Sequence, residues 1–310
     1  MFTEGKIFTL EDLRQWSLPG TWLAVLGDPI GHSLSPILHN AALAAMSEKN
    51  EQLKHWRYVA FHLATADLKE ALPLFHQKGF KGINLTIPHK VDAVKLVHSI
   101  EAEVEGFGAV NTLIRSETGY TGTNTDGYGI SKALGSELGL CFADKEVILC
   151  GAGGASRAIA MQALTEGCPK LWLGNRSEGR LNELRAILAQ EGWGADRVEP
   201  FFFNALPADL PRNALVINAT SAGLKAGDEP PLDLSRMVDG TCLYDTTYGC
   251  RNGWRRIALE RDWPYADGLS MLVWQGARSL EYWTGCEVPI EVMMSVARKT
   301  LRARMEVADD

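Results

Sequence analysis

Two polar clusters in the first half of the chain end in residues able to move a proton: Gly82-Ile-Asn-Leu-Thr-Ile-Pro-His-Lys90 and Gly122-Thr-Asn-Thr-Asp126-Gly127. About one helix later a glycine-rich loop, Gly151-Ala-Gly-Gly-Ala-Ser156, follows an apolar run. A proton-handling pair ahead of a loop that can cradle phosphates is the order expected of a redox enzyme acting on a small polar molecule.

Pro88 starts a helix and so places Lys90 in its first turn, where the helix dipole and any burial disfavour the charged amine. An isolated lysine there would simply point to solvent. Asn84 and Thr86, however, alternate along one face of the preceding strand, where a core strand would carry apolar groups. Asn111, inside Ala109-Val-Asn-Thr-Leu-Ile, is another polar intrusion that needs a partner. Asp126 sits in a good turn sequence, Asn124-Thr-Asp-Gly127, and turn aspartates are usually inert. One that met Lys90 would tune and orient it as a proton donor or acceptor, as a ketone reduction requires.

Ser33 and Ser35 lie in Gly31-His-Ser-Leu-Ser-Pro36, between the first apolar run and the first helix. Ser35 before Pro36 reads as a helix N-cap, and Ser33 has no such structural explanation. Two hydroxyls beside a helix N-terminus also make a cradle for a carboxylate. His32, His39 and His89 match no ligand spacing, so no metal is expected.

The loop Gly151, Ala152, Gly153, Gly154, Ala155 follows a strand and opens a helix at about Ser156, the context of a dinucleotide fingerprint, although Ser156 stands where the third glycine belongs. A bare glycine turn is the alternative. The next strand ends in Asn175-Arg176-Ser177, with Arg180 one turn on, and not in the acidic residue that would bind a free ribose 2′-OH. Guanidinium groups and a hydroxyl suit a 2′-phosphate, which favours NADP(H) over NAD. Alternatively Ser177 caps a helix and both arginines are solvated.

These residues sit in an alternating α/β pattern. Expected strands are Trp22–Leu26, Tyr58–Leu63 and Gly82–Ile87, with helices at 37–46, 67–77 and 91–100. A hairpin formed by Ala109–Arg115 and Tyr120–Thr123 closes this region, and a helix near 128–138 leads onward. Strands at 146–150, 171–173, 198–203, 215–219 and 241–244, with helices at 157–165 and 181–190, read as a doubly wound nucleotide-binding domain. Residues 1–20 read as a short helical extension, and 268–283 and 290–305 as helices returning to the first domain. The expected division is 1–127 with 268–310 as a discontinuous substrate domain and 128–267 as a Rossmann-type domain. At 310 residues, 46% hydrophobic and with net charge −7 spread along the chain, the composition is that of a globular protein with no footprint for nucleic acid. No apolar window is long enough for a membrane, and the start lacks a secretory pattern, so a cytoplasmic protein is expected. The six cysteines contain no C-x-x-C pair and are expected to be buried reduced thiols. A monomer and a homodimer are equally compatible.

From about Trp22 to Glu306 the chain resembles the shikimate dehydrogenase family. The segments that carry the resemblance are Gly27–Pro36, Gly82–Lys90, Gly108–Thr112, Asn124–Gly127, Gly151–Ala155, Asn175-Arg176, Ile217–Ser221 and Asp267–Gln275, in that order. The resemblance implies NADPH-dependent reduction of 3-dehydroshikimate to shikimate in aromatic biosynthesis. It makes Lys90 and Asp126 the proton-transfer pair and gives Ser33 and Ser35, with Tyr248, the substrate carboxylate. Thr86, Asn111 and Gln275 would bind ring hydroxyls, in company with Asn84, and Thr246 and Gly268 would line the nicotinamide side. The two serines fit the shikimate branch better than a quinate-preferring, NAD-linked one. A ligand-binding sensor of the same fold is a third reading, opposed by the intact Lys90 and Asp126. One stretch departs from the family pattern: Asp245-Thr-Thr-Tyr248-Gly-Cys-Arg-Asn-Gly-Trp254 lacks the usual hydrophobic pair before the tyrosine and the Thr-Pro after it.

Overall fold

The computed structural model describes residues 5–225 and 227–309, with side chains through 305. The chain divides into two compact units, residues 1–125 with 273–310 and residues 126–272.

Among its described residues the first unit holds seven strands: β1 (Ile7–Phe8), β2 (Thr21–Gly27), β3 (Trp56–His62), β4 (Gly82–Leu85), β5 (Ser99–Ile100), β6 (Thr112–Arg115) and β7 (Tyr120–Thr123). They form one sheet in the order β1-β3-β2-β4-β6-β7-β5. The first four run parallel, and β6 is antiparallel to both β4 and β7. Trp22 to Leu26 are all buried, which is why this parallel strand reads as an unbroken apolar run rather than an alternating one. Around the sheet lie α1 (Leu10–Arg14), α2 (Ser35–Ser47), α3 (Leu68–Gln77) and the short α4 (His89–Asp92).

Residues 5–20 are not a helical extension, and residues 1–4 of that expected segment lie outside the described residues. Ile7–Phe8 adds a parallel edge strand to β3, and α1 is a single capped turn in which Thr9 and Asp12 bond each other's backbone. Trp16 then packs edge-on to Trp22 at 4.9 Å and beside Phe61 and Phe80, so that Phe8, Leu13 and Trp16 become core. The expected helix over 91–100 is also replaced: α4 ends at Asp92, a 3-10 turn covers Ala93–Lys95, and Ser99–Ile100 pairs with β7. The apolar residues at 93, 96, 97 and 100 keep helical spacing, so it is the pairing of Ser99–Ile100 with β7, a tertiary contact, that overrides the local pattern.

The second unit is a six-stranded parallel sheet: β8 (Val147–Cys150), β9 (Leu171–Asn175), β10 (Val198–Phe202), β11 (Leu215–Asn218), β12 (Cys242–Asp245) and β13 (Tyr265–Asp267). Its order, β10-β9-β8-β11-β12-β13, reverses direction after β8, as in a doubly wound Rossmann sheet. Its helices are α5 (Asp126–Ala133, continued as a π-turn to Leu138), α6 (Gly154–Thr165), α7 (Glu178–Gln190) and α8 (Gly253–Glu260). β13 and α8 have no counterpart in the sequence reading. The strand is three residues after Pro264, and α8 turns only Gly253, Trp254 and Ala258 fully inward.

Two helices complete the chain, α9 (Leu269–Thr284) and α10 (Ile290–Asp309), and the division between units falls inside α9 after Leu272. α10 packs on α2. Gly82 has no side chain because the Trp283 indole occupies the space a methyl would need, and that indole donates to the Leu113 carbonyl at 3.0 Å. The latter part of α9 is thereby seated on β4 and β6. Among the described residues no helix is long and apolar enough to cross a membrane, and no cluster of His, Cys, Asp or Glu is arranged to hold a metal. All six cysteines are free, but only Cys150, Cys168 and Cys242 are buried; Cys141 is exposed, contrary to expectation, because it lies in the turn after the π-helix.

Candidate active site

In the first unit the polar intrusions converge on one buried network. Tyr58 Oη donates to Asn84 Oδ1 at 2.7 Å, and Asn84 Nδ2 faces Thr112 Oγ1 at 3.1 Å, Ser279 Oγ at 3.0 Å and the Asn111 carbonyl at 3.2 Å. Asn111, 1% exposed, accepts at Oδ1 from the backbone N–H of Thr125 at 2.8 Å and from Thr112 Oγ1 at 2.9 Å. Its Nδ2 donates to Thr125 Oγ1 at 3.0 Å and to Gln275 Oε1 at 3.2 Å. Ser279, one turn beyond Gln275 on α9, bonds the Gln275 carbonyl and meets Thr112 and Thr125. Buried polar groups persist only when paired in this way. The half-buried Gln275 carries the network toward solvent, and Thr125 is followed directly by Asp126, the first residue of α5.

Ser33 and Ser35 exchange the roles expected of them. Ser35 is the first residue of α2 and caps nothing, the cap position being Leu34; its own N–H is taken by Ser33 Oγ at 3.2 Å. The reason is that Leu34 is already helical, so Ser33 is the residue left outside the helix with a hydroxyl that can reach back to the Ser35 N–H. Ser35 turns inward beside Tyr58, whose phenol is pushed well above its ordinary pKa by burial, with the Ser35 hydroxyl opposing. His39 stacks on Tyr58 at 4.0 Å and places its ring nitrogens 2.8 Å from the Ser35 carbonyl and 3.2 Å from that of Gly276. Burial lowers its pKa to about 4, so it is a neutral brace between α2 and α9.

Thr86 lies just past the end of β4, half-buried, with its methyl over Gly27. Pro88 occupies the cap of α4, which leaves Lys90 half-buried in the first turn, with its carbonyl accepting the Val110 N–H at 2.9 Å. His89 beside it is buried, which lowers its pKa.

In the second unit the glycine loop ends β8. Gly151 has φ +118°, and a methyl there would lie 2.7 Å from the Ala219 carbonyl, so only glycine fits. α6 opens at Gly154, two residues before the expected Ser156, because Ser156 is inside the helix and fully buried: its hydroxyl accepts the Gly153 N–H at 3.3 Å and reaches the Ala219 carbonyl at 3.5 Å. The serine in place of the third glycine therefore braces the loop. The N–H groups of Gly154 and Ala155 belong to the first turn and have no intrahelical acceptor, the property that suits such an end to phosphate. Ala152 is buried beneath them.

Asn175 ends β9 and donates to the Ser177 carbonyl at 2.9 Å. Arg176, Ser177 and Arg180 are exposed; Ser177 is the cap residue of α7, yet its hydroxyl makes no capping bond. Ser177 thus stands at the helix cap without a capping bond, and both arginines are solvated, as the alternative reading of this segment had them. On the other side of the sheet Thr246 and Tyr248 are half-buried after β12, and Gly268 packs so closely on the Thr246 backbone that a methyl would overlap it.

A family model described as the shikimate dehydrogenase substrate binding domain matches residues 25–113, and one described as the shikimate 5′-dehydrogenase C-terminal domain matches 268–298. The chain is 36% identical to a shikimate dehydrogenase (NADP(+)) of Moorella thermoacetica, over 91% of this chain and 94% of the relative. It belongs to the shikimate dehydrogenase family. A second member, from Methanothrix thermoacetophila, is 37% identical over 90% of this chain and 97% of its own length. Two solved shikimate dehydrogenase structures share the fold at 30% identity. That of Aquifex aeolicus has a TM-score of 0.78 and covers 90% of this chain and 98% of its own; that of Thermus thermophilus, in complex with NADP(H) and shikimate, has 0.76 and covers 90% and 99%.

Against this shikimate dehydrogenase frame, Tyr58, Thr112, Thr125 and Ser279 are the members of the network that sequence reasoning passed over. Gln275 and Ser279 stand four apart on one helix face, a spacing that would have paired them.

Proposed function

We propose that this chain reduces the C3 ketone of 3-dehydroshikimate to shikimate with NADPH, as a cytoplasmic enzyme of aromatic biosynthesis. The observation that carries this reading is the buried amide and hydroxyl network of the first unit, a set of neutral groups matched to a polyhydroxylated ring, in a chain of this family. Thr86, Asn111 and Gln275 bind the ring hydroxyls in company with Asn84, which donates to the Asn111 carbonyl. Ser33, Ser35 and Tyr248 take the carboxylate, for which neutral donors and a helix end suffice.

The residues of the second unit fit a phosphorylated dinucleotide. Gly151, Ala152, Gly153, Gly154 and Ala155 receive the pyrophosphate at the start of α6, in a loop where the Ala219 carbonyl excludes any side chain at Gly151. Asn175 shapes the turn that presents Arg176, Ser177 and Arg180 to the 2′-phosphate, since guanidinium forks match phosphate oxygens. Thr246 and Gly268 line the nicotinamide side. The bound cofactor supplies the hydride. Lys90 and Asp126 deliver the proton to the developing alkoxide, a contribution of roughly 10² to 10⁴-fold to the rate.

The test is turnover of 3-dehydroshikimate and of the quinate analogue with NADPH and NADH, in wild type and in Lys90→Ala. NADPH-linked shikimate formation that falls by about 10²-fold or more in the variant, with substrate binding weakened far less, is the expected result. Equal or better turnover of quinate with NAD, or normal turnover in Lys90→Ala, refutes the assignment.

A further inference from the structure

The loop that departs from the family pattern is held from beneath by one buried carboxylate. Asp245, 1% exposed, accepts from Asn218 Nδ2 at 2.8 Å, the Thr247 N–H at 3.0 Å, Thr247 Oγ1 at 2.9 Å and Asn252 Nδ2 at 2.7 Å. Asn252, also buried, does more than complete this shell. Its amide nitrogen reaches the Gly223 carbonyl at 3.1 Å, and its Oδ1 accepts the Arg255 N–H at 3.2 Å and so caps α8. One side chain therefore joins the end of β12, the segment after β11 and the start of α8. Space is tight around it: Gly223 has φ +122°, and a methyl there would lie 2.7 Å from Asn252 Nδ2 and 2.9 Å from Thr247 Oγ1.

The other side of the loop is fixed by backbone. Thr246 N–H donates to the Asn218 carbonyl at 2.9 Å, Gly268 N–H donates to the Thr247 carbonyl at 2.9 Å, and Gly268 presses on Thr246. The backbone of Thr246 and Thr247 is thus held between Asp245 with Asn252 and the glycine that begins the turn into α9.

We propose that Asn252 is a positioning residue for the cofactor: through Asp245 it sets the Thr246–Thr247 backbone against Gly268 and thereby how tightly the nicotinamide half of the dinucleotide is held. The inference rests on the reading above that Thr246 and Gly268 line the nicotinamide. Its physical basis is that a buried carboxylate keeps its place only while its donors are present. Withdrawing the Asn252 amide leaves Asp245 under-solvated, and the attached loop relaxes.

Asn252→Asp keeps the size of the side chain and the acceptor that caps α8, but it sets a second carboxylate against Asp245. Two carboxylates at that distance do not both ionise readily. At low pH the pair retains one proton and a hydrogen bond that replaces the lost amide donor; at high pH the proton leaves and the two repel. Other titrating groups face the same region: Asp267 and Tyr265 on β13, Cys250 in the loop and Asp228 ahead of α8, with Arg255 opposing the two acidic groups on β13. These are unchanged in the variant, so the ratio of variant to wild type isolates the pair.

The expected result is a calorimetric Kd for NADP+ and a KM for NADPH that rise about tenfold at high pH, roughly the loss of one hydrogen bond to a charged group, and return toward wild type as the pH falls. kcat at saturating NADPH should move less. Thr247→Val, which removes one donor to Asp245 and leaves the α8 cap intact, should raise the NADP+ Kd in the same direction by less, and it carries the test should Asn252→Asp fail to fold. A Kd in Asn252→Asp that equals wild type at every pH, or a loss that does not vary with pH, overturns the proposal. So does wild-type NADP+ affinity in Thr247→Val. Absence of dehydroshikimate turnover in the wild type would instead sink the functional reading, and the calorimetric comparison would still decide the role of Asn252.

Discussion

Replacing Asn111 with Leu removes the carboxamide that bonds Thr125, Thr112 and Gln275 while keeping similar bulk. Thr112 and Thr125 retain Ser279 as a hydroxyl partner, and half-buried Gln275 can turn to water. The Thr125 N–H has no such recourse, because the residue is buried and Asn111 Oδ1 is its acceptor. One orphaned buried donor costs about 1–3 kcal/mol, and the lost amide bonds bring the total to about 2–4 kcal/mol. For a unit of this size that is a fall in Tm of about 5–10 °C. The functional loss should exceed what lower stability explains, since Thr125 leads directly into Asp126 and a displacement of about 1 Å at a reacting group can cost on the order of 10²-fold in rate. Calorimetric melting and steady-state kinetics with NADPH and 3-dehydroshikimate, well below the melting range, measure both effects. An unchanged Tm would refute the accounting of the network, and a lowered Tm with wild-type kcat would refute its connection to Asp126.

Three further outcomes concern a buried imidazole, two exposed guanidinium groups and one glycine. His39 has a folded pKa of about 4 against an ordinary 6.5, so between those values the unfolded chain binds a proton that the folded one refuses. The stability is complete above about pH 6.5 and declines toward pH 4 by about 3 kcal/mol at 1.36 kcal/mol per pH unit. The urea midpoint of wild type should therefore fall more steeply over that window than that of His39→Gln, and parallel profiles would refute the assignment. Replacing Arg176 and Arg180 together with Ala should lower kcat/KM for NADPH by about tenfold or more while sparing NADH, on the scale of charge-assisted hydrogen bonds; equal losses with both cofactors would show that neither arginine reads the 2′-phosphate. Gly151→Ala forces a side chain onto a backbone at φ +118° and toward the Ala219 carbonyl. It should lower stability by about 1–3 kcal/mol and weaken NADP+ binding, and a variant with wild-type melting and affinity would contradict the close packing of that loop.

The parallel strands were legible because burial on both faces leaves an apolar run, as at Val147–Cys150 and Leu215–Ile217. β13 was not, since three residues after a proline carry no periodicity; α8 did carry a helical signal, Trp254, Ile257 and Ala258 at i, i+3 and i+4 behind the Asn252 cap, but in so short a helix it went unread. At the site, Asn111 and Asn84 were visible as amides where apolar residues belong. The spacing of Ser279 from Gln275 put it on the same helix face, but its bond to Asn84 across 195 positions depends on the fold and not on local spacing. The exchange of roles between Ser33 and Ser35 turned on one backbone conformation, that of Leu34, which no residue type specifies.

The placement of α9 has a consequence for how the molecule is made. Asn84, Thr112 and Thr125 emerge early in synthesis, but their partner Ser279 follows 195, 167 and 154 positions later. The indole of Trp283, which fills the space over Gly82, arrives later still. A nascent chain that has completed β7 therefore carries a polar interior with part of its pairing missing. Closing such long sequence separations is slow compared with forming local contacts. Meanwhile every strand of the second unit has been made, and none of them pairs with a strand of the first. The dinucleotide sheet is thus expected to mature first on the ribosome, and the polar network of the first unit to become complete only as the last two helices dock.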